Sequence, residues 1–151
     1  MLGELLPNGR REISVLFCDL RGFGRYHEQL GDAGVTELLQ RFYSAVGRVV
    51  DEHFGVVDKL MGDCVMVHFN AVRSVPDHQR RAAAAAAAIH QVLERLEVDG
   101  EPLRVRIALA SGAAEVVTFR CGSHSATTVI GEPVNRAAGE LYQARPANNS
   151  V

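Results

Sequence analysis

The run Ile13–Leu20 (ISVLFCDL) is an almost unbroken β-favouring apolar stretch, and it stops at Arg21-Gly22-Phe23-Gly24. A strand that is apolar on both faces has to be covered on both sides, so this segment is expected at the centre of a sheet, ended by the two glycines. Asp19 is the exception within it. A buried carboxylate without a partner is costly, so Asp19 is expected at the mouth of the strand or facing a cation. The 151 residues are enough for one domain with layers on both sides of such a strand and too few for a comfortable second one.

From Val35 to Phe54 the residues Val35, Leu38, Leu39, Phe42, Val46, Val49 and Val50 recur at three- and four-residue steps, which predicts an amphipathic helix closed by Gly55. Two short strands, Val56–Leu60 and Cys64–Phe69, follow as a hairpin with Gly62 in the turn and Asp63 at its tip. Pro76 and Asp77 open a second helix that contains the alanines 82–88 and continues through Leu96; side chains this small let it pack closely on a sheet. Leu103–Leu109 alternates like a half-buried strand, Val116–Phe119 and Thr127–Ile130 are further strands, and Ser111-Gly112 and Gly122-Ser123 are turn signals. Gly131-Glu132-Pro133 leads into a final helix over Val134–Tyr142.

The order predicts an α+β fold, a ferredoxin-like βαββαβ core with extra strands, in which both long helices cover one face of an antiparallel sheet. Such a fold does not name a function. The chain divides into a lead-in over 1–12, one domain over 13–145 and a polar tail over 146–151, and with so short a tail an edge of the sheet is expected to be bare.

A net charge of −2 supplies no basic surface for nucleic acid. Cys18, Cys64 and Cys121 form no CxxC pair, so they read as small buried hydrophobes, not as disulfides or zinc ligands. The histidines, without HxH or HExxH spacing, read as surface or helix-end residues. No apolar run approaches a membrane span and the start lacks a leader pattern, which makes a cytoplasmic chain the default.

If the hairpin pairs beside the first strand, Asp19 and Asp63 become neighbours. Two carboxylates completed by phosphate oxygens and water suit Mg²⁺ or Mn²⁺, and Gly22, Phe23 and Gly24 directly after Asp19 let backbone N–H groups approach a polyphosphate. The other reading of the same residues is a surface aspartate and a turn aspartate.

Read together, Val15–Gly24 (VLFCDLRGFG), Lys59–Asp63 (KLMGD) and Thr128–Ala138 (TVIGEPVNRAA) resemble three ordered motifs of the class III adenylate/guanylate cyclases. The resemblance runs from Ile13 to about Leu141. It implies that Asp19 and Asp63 hold two divalent ions per site, Mg²⁺ or Mn²⁺, over a nucleoside triphosphate, that Lys59 reads adenine and that Asn135 orients the ribose. It further implies a homodimer, because the aspartates of one protomer meet the lysine and asparagine of the other, and ATP in preference to GTP as substrate. Two positions depart from the pattern. Ala126 is aligned where adenylate cyclases carry a base-reading Asp or Thr, with Thr127 able to serve only through a one-residue slip that would turn it to the other face. Gly139 stands four residues after Asn135, where the family carries an arginine that stabilises the transition state; Arg136 is either a substitute or a solvent-facing side chain. The implied activity is conversion of ATP to cyclic AMP and pyrophosphate. The alternative is a catalytically silent cyclase-like domain that binds nucleotide or dimerises.

Overall fold

A computed structural model describes residues 1–143, the side chain of residue 143 excepted; the polar tail over 146–151 lies outside the described residues. The elements are β1 (Gly9–Leu20), α1 (Phe23–Glu52), β2 (Val56–Met61), β3 (Cys64–Phe69), α2 (His78–Glu94), the short β4 (Glu97–Val98) and β5 (Glu101–Pro102), β6 (Val105–Cys121), β7 (His124–Ile130) and α3 (Glu132–Gln143). The main sheet has the order β2-β3-β1-β6-β7, every pairing antiparallel.

β1 is the central strand, with every residue from Ile13 to Leu20 buried. Its side chains divide the molecule into two layers. Leu16, Cys18 and Leu20 face Leu38, Phe42, Val46 and Val50 of α1 and Ala82, Ala85 and Ile89 of α2, so both long helices cover one face. Ile13, Val15 and Phe17 face the opposite way, onto Met66, Ala108, Ala110 and, from α3, Ala137 and Leu141.

Besides the start of β1 at Gly9, within the expected lead-in, and the unforeseen β4–β5 pair, two elements differ from the sequence reading. The first helix begins at Phe23, not near Val35, and is broken at Gly31, where φ 68 and ψ −178 interrupt the helical path. Only Tyr26 is buried ahead of the kink, so this stretch offers no apolar period to read. The second is β6, which runs without interruption through Ser111-Gly112 instead of turning there. Gly112 is needed for a different reason: a Cβ on it would stand 2.9 Å from Pro133 Cγ, so the absent side chain is what lets the start of α3 seat on the strand.

Candidate active site

Asp19, 3% exposed, sits near the end of β1 with Cys64 of β3 and Arg106 of β6 as its register partners. The tip of the β2–β3 hairpin is drawn to the same point: Leu20 N–H donates to the Asp63 carbonyl at 2.8 Å, and the Tyr43 hydroxyl of α1 donates to the Gly62 carbonyl. Burial, and then the negative charge of Asp63, raises the pKa of Tyr43 and keeps that hydroxyl a donor.

Asp19 and Asp63 consequently line one cleft of about 820 Å³, together with Gly22, Phe23 and Gly24 and with four arginines, Arg21, Arg25, Arg104 and Arg106. The chain turns at Gly22, and Phe23 and Gly24 form the first turn of α1 instead of a free loop. No group of three or more His, Cys, Asp or Glu gathers to hold a metal among the described residues. An oxygen-only pair of carboxylates fits a hard divalent cation whose remaining ligands are phosphate oxygens and water, and the arginines complement the same polyanion. Arg104 and Arg106 were missed in the sequence, although they are the charged positions of the alternating stretch over 103–109.

A second polar cluster forms at Lys59. Val57 pairs with Val67 and Lys59 with Met66, so Asp58 is the extra residue of a β-bulge. The bulge turns the Asp58 side chain inward to 2% exposure while Lys59 beside it stays 48% exposed. Asp58 Oδ1 lies 3.6 Å from Lys59 Nζ, Oδ2 lies 3.5 Å from His68 Nε2, and Oδ2 accepts the Thr128 hydroxyl at 2.6 Å. Burial alone would raise the Asp58 pKa. The hydrogen bonds from His68 and Thr128 and the charges of His68 and Lys59 outweigh it, and the carboxyl is held below its ordinary range.

This cluster corrects two expectations. His68 is neither a surface nor a helix-end residue; it is 1% exposed on the fully buried strand β3, which tolerates it because Asp58 is turned toward it. On β7, the side chain that reaches the neighbourhood of Lys59 is Thr128, not Ala126 or Thr127: Ala126 is exposed and Thr127 bonds Thr118. β2 and β7 are opposite edges of the sheet, so the sheet curls far enough for a hydrogen bond to join them.

Asn135 is exposed in the first turns of α3, its N–H bonded to the Gly131 carbonyl at 3.3 Å. One turn on, a Cβ at Gly139 would meet nothing within 4 Å. Arg136 is exposed, and it pairs with Glu132 and donates through Nη2 to the Ser111 carbonyl at 2.7 Å, which ties α3 to β6. Neither Lys59 nor Asn135 lines the cleft that holds Asp19 and Asp63.

The family model of the adenylate and guanylate cyclase catalytic domain matches residues 7–139. An uncharacterized protein of Mycobacterium tuberculosis is 35% identical over 145 residues, covering 93% of this chain and 26% of its own length. Another from the same organism is 32% identical over 139 residues, with 91% and 25% covered. The chain thus spans about a quarter of the length of these curated relatives. Among solved structures, the guanylyl cyclase Cya2 superposes with a TM-score of 0.81 at 27% identity, over 93% of this chain and 72% of that one. The adenylyl cyclase CyaB from P. aeruginosa gives 0.78 at 26% identity, over 88% and 72%. The curled antiparallel sheet, the cleft at the end of its central strand and these matches together establish that the chain belongs to the adenylate and guanylate cyclase catalytic domain family.

Proposed function

We propose that the domain over 13–145 is a nucleotidyl cyclase that converts ATP to cyclic AMP and pyrophosphate at the interface of a homodimer in the cytoplasm. The observation that carries this reading is the convergence of Asp19 and Asp63 on a cleft lined by four arginines. Asp19 and Asp63 hold the divalent ions, Mg²⁺ or Mn²⁺, two per site. When bound, such ions neutralise charge on the triphosphate and favour attack of the ribose 3′-hydroxyl on the α-phosphorus. Arg104 and Arg106 hold the polyphosphate, and the turn at Gly22 presents the start of α1, with the N–H groups of Phe23 and Gly24, to it. Lys59 reads the purine and Asn135 orients the ribose, both from the partner protomer, so a lone protomer is inert.

A second reading has support of its own. With Gly139 in place of a cation and Arg136 engaged elsewhere, the α-phosphate lacks a preorganised donor, an omission that costs on the order of 10²–10³-fold in rate. That favours a slow enzyme or a silent nucleotide-binding domain. The test is cyclic nucleotide formation from ATP and from GTP, with Mn²⁺ and with Mg²⁺, over rising protein concentration. Turnover that grows with concentration and vanishes in Asp63→Ala supports the cyclase; no turnover under any condition supports the silent domain.

A further inference from the structure

Fixing a carboxylate that is to hold a cation means fixing the backbone that carries it, because the direction of a Cβ follows from the two peptide planes on either side of its Cα. Asp63 sits in a turn of two residues: Met61 pairs with Cys64 across the β2–β3 hairpin, and Gly62 and Asp63 make the connection. Gly62 holds φ 63, a conformation that glycine enters and leaves freely, so the peptide between Gly62 and Asp63 has little rigidity of its own. In such a turn the flanking pair closes the ladder, and the carbonyls of the two loop residues are left to outside donors. Here each has one. Leu20 N–H, at the end of β1 and next to Asp19, donates to the Asp63 carbonyl at 2.8 Å. The Tyr43 hydroxyl donates to the Gly62 carbonyl. The peptide planes before and after Asp63 are therefore both held, one from α1 and one from the sheet. Tyr43 suits this use because its ring packs on the core beside the fully buried Phe42, at 5.7 Å between centroids, so its hydroxyl is offered from a fixed base.

We infer that Tyr43 is a positioning residue for Asp63: it holds the turn so that the carboxylate stays in the cleft with Asp19, and it thereby sets the affinity of this chain for a divalent cation. The inference rests on the proposed cation reading of Asp19 and Asp63 and deepens it. Tyr43 itself does not line the cleft. Without its hydroxyl the Leu20 bond still ties the tip to β1, but the Gly62–Asp63 peptide is free to rotate and Asp63 is held from one side only. A net hydrogen bond of ordinary strength corresponds to a factor of roughly two to ten, so the cation affinity weakens without vanishing. Both aspartates line the cleft within one chain, so the effect needs neither nucleotide nor a second copy and is separable from turnover.

The test titrates the full chain with Mn²⁺ alone and reads the free ion by electron paramagnetic resonance, in wild type, Tyr43→Phe, Ser44→Ala and Asp63→Ala, with thermal melting of each in the absence and presence of the ion. Phenylalanine keeps the ring and its core contact, so only the hydroxyl is lost. Ser44→Ala is the control, since it removes the next hydroxyl along α1, which accepts from Gln40 at 2.9 Å within the helix. The expected result is Mn²⁺ uptake by wild type that is lost in Asp63→Ala, unchanged in Ser44→Ala and weakened about three- to tenfold in Tyr43→Phe. The rise in melting temperature on adding Mn²⁺ should shrink in parallel. A merely structural Tyr43 would lower the metal-free melting temperature and leave the Mn²⁺ affinity of the folded protein as it was; that result overturns the inference and leaves the cation reading standing. Equal weakening in Ser44→Ala also overturns it, because the effect would then belong to the helix in general. Uptake that is absent from wild type, or that survives Asp63→Ala unchanged, removes the cation reading and the inference with it.

Discussion

A Cβ at Gly139 would meet nothing within 4 Å, so a side chain can start from this position without a clash at its first carbon. Its neighbour Arg136 cannot move to serve there without releasing Glu132 and the Ser111 carbonyl that anchor α3. If absence of a cation limits the rate, Gly139→Arg should raise cyclic nucleotide formation by about 10²–10³-fold in a Mn²⁺ assay with ATP. An unchanged rate would place the defect elsewhere in the site. Asp58 carries a prediction of a different kind. Its folded pKa lies below the ordinary carboxylate value, so its contribution to stability is present above the unfolded pKa and is lost as pH falls through the folded one. The melting temperature of wild type should therefore drop more steeply on acidification than that of Asp58→Asn, read by circular dichroism from neutral pH downward. Lys59 and Asp63 were legible because they sit inside a motif. Asp58 was not, because a bulge leaves no mark in the residue pattern; Thr128 opens the third motif, but its meeting with Asp58 was hidden because the approach of β2 to β7 depends on how the sheet curls.

Among the elements, α3 is held by contacts that its own sequence does not announce. Gly112 and Pro133 are 21 positions apart in the chain and meet only because β6 passes under the start of the helix. A methyl group at Gly112 would press on Pro133 Cγ, and relief of that overlap must move α3 and with it Asn135. Gly112→Ala is expected to cost about 1–3 kcal/mol in urea unfolding, with weakened nucleotide binding beyond what the stability loss explains. The same residue misled the sequence reading: Ser-Gly is a turn signal by composition, whereas here the glycine serves close packing inside an extended strand. The strands also separate the cysteines. Cys18 and Cys64 are buried, and burial followed by the charges of Cys64 and Asp19 pushes the Cys18 thiol well above its usual pKa. Cys121 is exposed at the β6–β7 turn, contrary to the expectation that all the cysteines are buried. A thiol reagent should label one cysteine in the native protein and three after unfolding, counted by mass spectrometry.

At the scale of the whole molecule, the topology could be read because each pairing had local support: an unbroken apolar strand, a glycine-centred hairpin beside it and two helices with apolar stripes. What the chain could not reveal is where its chemistry is incomplete. The cleft at Asp19 and the cluster at Lys59 lie apart in one protomer, so the proposed function requires a second copy to bring a cleft and a cluster together. In a two-fold homodimer each composite site takes its aspartates from one chain and its lysine and asparagine from the other. Asp63→Ala alone then disables both sites, and so does Lys59→Ala. When the two variants are mixed, the heterodimer combines both lesions in one site and leaves the other intact. Random exchange of equal amounts should restore about one quarter of the wild-type rate, since about half the dimers are mixed and each has one working site. The measurement is the rate of cyclic nucleotide formation by each variant alone and by the mixture at the same total concentration. A mixture no more active than its parts would mean that aspartates and lysine act within one chain, and the interface would then have to be explained by something other than catalysis.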